Sequence, residues 1–325
     1  MSAVAMGALA LLAQATTSAA RDPLKPSNGY HSSTTSSGTR NQYHPSSPGG
    51  HAGVDVTPRA SSSKHTEREA IAALPLDRLT PQQRAKVESV TARTTVFRRM
   101  PAQVVRCDPE MYLFLVEHPE VLANIWGLAA EQQGPTGIQE IALTRTGPDT
   151  LTAHDGLGTE GNVEILYRSH DKHLLYASGS YDGPLFLKPV EGAGLLYLTT
   201  VYSRDPNGAY YITCQLDTFI ALERSGTELL ARTFSPIVGK VADASFVQSL
   251  AFVQMLSDVC ELNPAGIGRL TPRLDHVDPD VCNEFSRLAL KAATRAEQRR
   301  MSARVPEAVT AQPLRPTAAD LRATR

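Results

Sequence analysis

The sequence is poor in the features that usually declare a function. Its 325 residues include one Trp, eight Phe, ten Tyr and four Cys. The formal net charge is −1. No excess of positive charge is present to neutralise a phosphate backbone, which argues against a nucleic-acid partner. Cys107, Cys214, Cys260 and Cys282 contain no CxxC pair, which disfavours a zinc site of the usual kind, and their spacing identifies no disulfide pairs. Cys214 sits on an apolar strand face and reads as a small buried hydrophobe. There is no GxSxG elbow, no GK[ST] loop and no HExxH helix, so catalytic-serine, NTPase and zincin readings lose their usual support. No metal or cofactor is implied. After the N-terminus, no stretch has the roughly 18 uninterrupted apolar residues of a membrane span, and no internal repeat is present.

Large aliphatic residues are scarce in two segments. Residues 21–66 are rich in Ser, Thr, Gly, Pro and His and cannot bury enough apolar surface to offset chain entropy, which predicts a disordered linker. Residues 305–325 read as a tail of the same kind. The first 20 residues carry an apolar run from Ala3 to Ala15, followed by Ser18-Ala19-Ala20. That pattern resembles a secretory signal cleaved after Ala20, although the n-region has no Lys or Arg. The expectation is an exported protein, periplasmic or extracellular, with no transmembrane segment after cleavage. Lys291, Arg295, Arg299, Arg300 and Arg304 gather positive charge near the C-terminus and read as a solvated helix end.

What is present is periodicity, clearest over 209–262. Tyr210, Ile212, Cys214, Leu216, Ile220 and Leu222 share one face of a strand. Tyr211, Thr213, Gln215 and Asp217 share the other. Phe252, Met255, Leu256 and Val259 then recur at helical spacing. Upstream, Thr66 to Leu74 reads as a short helix. Thr80-Pro81 opens a helix to about Ala92, and Asp108-Pro109 and His118-Pro119 open two more. Thr95 to Arg106 is extended, interrupted by Pro101. From Gly137 the period becomes two. Strands are expected at 138–145, 150–154, 163–169, 174–181, 184–189, 194–203 and 209–223. Each is bounded by turn residues, with Asp205-Pro206-Asn207-Gly208 the strongest hairpin signal. Short turns between consecutive strands imply an antiparallel meander. Helix is expected from Glu223 to Leu262 with a break at Ser235-Pro236, and again from Asp278-Pro279.

Three runs could carry chemistry. Gly156-Leu157-Gly158-Thr159-Glu160-Gly161 spells a dinucleotide fingerprint, but it leads into period two rather than a helix and reads as a hairpin loop. His170-Asp171-Lys172-His173 has the residue types of metal or acid–base sites, yet it falls between strands and reads as a solvated turn. His154-Asp155 is similar. The sheet tyrosines give a possible pocket an apolar body with polar tips.

The element order resembles the START-like helix-grip superfamily, which includes polyketide cyclase/dehydrase and lipid-transfer (SRPBCC-type) proteins. His118-Pro119-Glu120-Val121-Leu122-Ala123-Asn124-Ile125-Trp126 is similar to that fold's early helix. Ser235-Pro236-Ile237-Val238-Gly239 to Leu262 is similar to its closing helix. The resemblance covers about 95–265. It implies an α+β fold in which a curved antiparallel sheet grips a long C-terminal helix. A helical extension (67–94) precedes that domain and another (266–304) follows it. The resemblance carries no catalytic residue. It implies an apolar, lipid-like small molecule between sheet and helix, with Trp126, Tyr176, Tyr197, Tyr210, Ile212, Leu216, Phe252, Met255 and Leu256 as lining candidates. A non-enzymatic carrier is the favoured reading, because apolar and tyrosine patterning is present and paired catalytic groups are not. A cyclase- or hydrolase-type enzyme would instead point Asp217, His154 or His170 into the gap. An envelope structural protein would have a filled core. The oligomeric state is left open.

Overall fold

In the computed structural model, the described residues are 59–132, 142–154, 158–182, 189–223 and 236–304. The expected signal segment, most of the linker, the tail, the first residues of the strand at 138–145, most of the strand at 184–189 and the helix start after Glu223 lie outside them.

Period-two segments become strands β3 (Ala142–Gly147), β4 (Thr150–His154), β5 (Thr159–Arg168), β6 (Lys172–Tyr181), β7 (Val190–Arg204) and β8 (Tyr210–Leu222). Consecutive strands pair antiparallel. The β7–β8 turn uses Gly208 at φ 83, where a Cβ would be strained. The Asp205 carboxylate accepts the Ala209 N–H at 2.8 Å. Gly158 and Gly161 feed β5 rather than a helix, while Gly156 and Leu157 of the fingerprint lie outside the described residues. Two short strands, β1 (Val96–Arg99) and β2 (Gln103–Arg106), both lie along β8. Pro101, which has no N–H to give to a ladder, stands between them. The order across the eight-stranded sheet is β1-β8-β7-β6-β5-β4-β3, with β2 also on β8.

The helices start where caps allow. In α1 (Lys64–Ala72) the Ser63 side chain accepts from Thr66 N–H. This helix begins inside the segment expected to be a linker, and Ser61 already pairs with Arg99. A capping box between Thr80 and Gln83 opens α2 (Pro81–Ala92). Asp108 caps α3 (Pro109–Glu117), and α4 (Pro119–Gln132) follows. The long helix is α5 (Pro236–Leu262), then α6 (Pro264–Leu270) and α7 (Pro279–Arg304). This is the helix-grip architecture: a curved antiparallel sheet packed against a long helix that follows its last strand.

Both faces of the sheet centre are buried. Inside, Leu196, Leu198, Ile212, Cys214 and Leu216 pack with Phe246, Leu250, Val253, Leu256 and Cys260 of α5, closed by Tyr112, Leu122 and Phe285 from the other helices. Outside, Leu174, Leu195, Tyr197, Phe219 and Ala221 pack under Ala70 of α1 and Val87 and Val90 of α2. That explains the unbroken Leu195-Leu196-Tyr197-Leu198 run, because a strand covered on both sides needs apolar residues at every position. Polar ties fix the outer layer. The Tyr197 hydroxyl donates to Ala73 O at 2.9 Å, and Arg99 reaches both Asp217 oxygens at 2.7 and 2.8 Å.

The basic stripe of α7 corrects the expectation of a solvated helix end. Arg295 meets both oxygens of buried Asp108 at 2.8 and 2.7 Å, and Glu110 at 2.8 Å. Lys291 also pairs with Glu110, Arg299 with Glu261 and Arg300 with Glu297. The Lys291 ammonium, helped by Arg295, holds the Glu110 carboxyl below its ordinary range. Asp108 caps α3 through Glu110 and Met111 N–H while its own N–H donates to Ser257 Oγ. The change Asp108→Ala removes the cap and leaves the half-buried Arg295 with only Glu110 as its partner, so a loss of about 3 kcal/mol is expected from urea titration. A loss under about 1 kcal/mol would show the α7 clamp to be ornamental.

Candidate functional site

The helix-grip gap lies between the inner sheet face and α5, and the lining candidates divide sharply around it. Ile212, Leu216 and Leu256 are fully buried in one continuous cluster. Trp126 of α4 and Phe252 of α5 are half-buried and meet edge to face, with ring centroids 4.7 Å apart. Tyr210 begins β8 on the inner side, but its ring is taken by the Arg204 guanidinium at 5.3 Å.

Three candidates lie elsewhere. Tyr197 pairs with Leu174 and Tyr176 with Leu195, all on the outer face, and Lys86 of α2 sits over the Tyr176 ring. Strand alternation turns both tyrosines away from α5. Met255 is 49% exposed. The buried stripe of α5 runs through Phe246, Leu250, Val253, Leu256 and Cys260, so Met255 and Val259 face outward. This helix is apolar on most of its circumference, and sequence periodicity alone does not set its rotation.

Glycines open the inner face at one end. Gly161, Gly179 and Gly192 are in register across β5, β6 and β7. Gly194 stands beside Ile220 and Ala177 on the same face. Among the described residues, a Cβ added at Gly194 would meet a single heavy atom within 4 Å, the Phe219 carbonyl oxygen at 3.2 Å. Nearby, Thr218 pairs with Leu196 and Arg98. Its Oγ1 is buried with no hydrogen-bond partner, a group that costs free energy until something satisfies it. Arg98 reaches across to both oxygens of Asp243 and so pins the N-terminal half of α5 over this region. Sequence reasoning missed Gly194 and Thr218. The available signal was Gly192-Ala193-Gly194 inside an apolar strand, which marks a position without side-chain packing.

The acid–base candidates do not converge on this space. Asp217 is on the outer face, held by Arg99. His154 is also on the outer face, 3.9 Å from Glu160. It borders an open groove of about 740 Å³ whose floor carries Thr144, Thr152, Asn162 and Ser178. His170 is exposed at the β5–β6 turn, its ring 4.2 Å from that of Tyr202. Its neighbour His173 corrects the solvated-turn reading. It lies within β6, 2% exposed, with both ring nitrogens unpartnered. Burial pushes its pKa down to about 4, and Arg168 adds to the effect. In the core, the Tyr112 hydroxyl lies 3.0 Å from Thr200 Oγ1 and 3.2 Å from Cys214 Sγ. Burial pushes the Cys214 thiol up to about 12, so it stays protonated. All four cysteines are free, and Cys107, Cys214 and Cys260 are buried. Among the described residues no group of His, Cys, Asp and Glu could hold a metal ion, and no helix is long and apolar enough to cross a membrane.

The fold thus defines a helix-grip protein. No protein-family model matches the chain, and no curated protein does. Among solved structures it is similar to a conserved protein from Geobacillus kaustophilus, at 16% identity and TM-score 0.32, over 48% of this chain and 92% of that one. It is similar to truncated norcoclaurine synthase from Thalictrum flavum, at 13% identity and TM-score 0.28, over 50% and 94% of the two chains. The di-domain ARO/CYC BexL from the BE-7585A biosynthetic pathway gives 11% identity and TM-score 0.28, over 52% of each chain. Likenesses this distant carry no argument about activity, and the architecture rests on the strand order itself.

His173 gives the interior a measurable pH signature. Its folded pKa of about 4 lies below the ordinary histidine value of 6.5, so the unfolded chain binds the proton first. Its contribution is complete above pH 6.5 and is lost as pH falls toward 4, by up to about 3 kcal/mol. Denaturant titrations from pH 7 to 4.5 are expected to show a shallower loss for His173→Phe than for the parent chain. Parallel curves would mean that the imidazole is hydrated or paired in solution.

Proposed function

We propose that the protein is a non-enzymatic, START-like carrier of an apolar, lipid-like small molecule, held between the inner sheet face and the N-terminal half of α5. The observation that carries this reading is the sparse surroundings of Gly194, where among the described residues an added Cβ would meet only the Phe219 carbonyl oxygen. A folding core gains stability by filling such space; a binding protein leaves it for a ligand. Thr218 Oγ1 would then serve as the polar contact that orients one end of the guest. Trp126 and Phe252 supply an aromatic edge. The acid–base candidates lie on other surfaces, which favours carriage over catalysis. Export, suggested by the apolar run near the N-terminus, belongs to the same proposal.

Native mass spectrometry of the purified protein, with organic extraction of what it carries, tests the reading. A co-purifying hydrophobe is expected in the parent chain and is expected to be lost in Gly194→Leu, whose side chain occupies the same space. The change Thr218→Val keeps the shape and removes the hydroxyl. It should leave the empty protein as stable or up to about 1 kcal/mol more stable, while weakening retention of a guest with a polar end. An empty parent protein that also takes up no added fatty acid or sterol would sink the proposal.

A further inference from the structure

A second site lies outside the sheet–helix gap, where the β7–β8 hairpin meets the C-terminal half of α7. A cavity of about 420 Å³ there is lined by Arg204, Tyr210, Arg295, Gln298, Arg299 and Ser302, with the hairpin residues 206–208 at its edge. Among the described residues its lining contains three guanidinium groups and no carboxylate.

Each guanidinium is held in place before any ligand arrives. Arg204 packs over the Tyr210 ring at 5.3 Å, and its Nε donates to Gly208 O at 3.3 Å. Gly208 is in turn fixed by its positive φ and by donating to Asp205 O. Arg295 is fixed by Asp108 and Glu110, and Arg299 by Glu261 at 2.7 Å. Those carboxylates are not among the lining residues and offset two of the charges. Among the described residues Arg204 has no carboxylate partner, so its charge is uncompensated. Arg204 also keeps both Nη groups free of any hydrogen bond given by the described residues. Gln298 and Ser302 add neutral hydrogen-bonding groups to the wall.

Pre-organised guanidinium donors are the usual means of recognising planar or tetrahedral oxyanions, because their fork matches two oxygens at once. Prior fixation reduces the side-chain entropy lost on binding. The cavity volume falls in the range of small-molecule sites, roughly 300–1,000 Å³. We propose that this cavity binds a small molecule bearing a carboxylate or phosphate oxyanion, with Arg204 as its primary contact and Arg299 and Arg295 as supporting contacts.

Thermal unfolding with citrate and with inorganic pyrophosphate, each against sodium chloride at matched ionic strength, tests the site. At least one oxyanion is expected to raise Tm in a saturable way, and the stronger of the two identifies the charge carrier as carboxylate or phosphate. Arg204→Ala, at an exposed position, is expected to fold normally and to raise the half-saturating concentration about tenfold. Ser302→Asp, which places a negative charge in the wall, is expected to weaken binding without touching an arginine. A shift that follows ionic strength alone, or one that survives in both variants, overturns the proposal, as does no shift with either oxyanion. Neither variant alters the gap beside Gly194, so the carrier reading stands or falls separately.

Discussion

Asp108 is the point at which four elements of the protein meet. It follows β2, its carboxylate caps α3 and binds Arg295 of α7, and its backbone N–H donates to Ser257 of α5. Few places in a protein could hold a buried charge, because desolvation is costly unless every oxygen is satisfied. Here two backbone N–H groups and a guanidinium do so. The arrangement fixes α7 against α5, and α5 is the helix that the sheet grips. The position of the gap therefore depends on an ion pair formed well away from it.

The second governing constraint is that the sheet centre is buried twice. A single covering helix would leave Leu174, Leu195, Tyr197 and Phe219 in water. The N-terminal helices α1 and α2 remove them, with Phe97 and Phe219 rings 5.1 Å apart at the junction. Burial of such residues contributes roughly 1.5–3 kcal/mol each, so the extension belongs to the folding unit. A sheet held firmly from behind can tolerate glycines and the unsatisfied Thr218 hydroxyl in front.

Much of this architecture was legible in the sequence, and the failures have physical causes. The strands, the Asp205–Gly208 hairpin and the Pro-marked helix starts could be read because turn and cap chemistry is local. Tyr176 and Tyr197 were misassigned because a tyrosine on a strand reads the same on either face until the register between β6 and β7 is known. Met255 was misassigned because α5 has apolar residues nearly all round. His173 was misread because its neighbours in sequence, His170 and Asp171, are exposed, while pairing with Leu198 places it inside. Gly194 and Thr218 were missed because sparse contacts and an unmade hydrogen bond are properties of neighbours, and neighbours come from long-range pairing.

The pairing of Val96 with Ile220 has a temporal consequence. The strand that opens the sheet forms its ladder with the strand that closes it, and Arg295 meets Asp108 across a sequence separation of 187 residues. Contacts this distant cannot form on a nascent chain until nearly all of it has been made, and loop-closure entropy slows them afterwards. The hairpins from β3 to β7 can form early as a half-built sheet whose inner face is still wet. Such an intermediate exposes Leu196 and Leu198 until α5 is made, so the C-terminal helices decide whether the chain folds or aggregates.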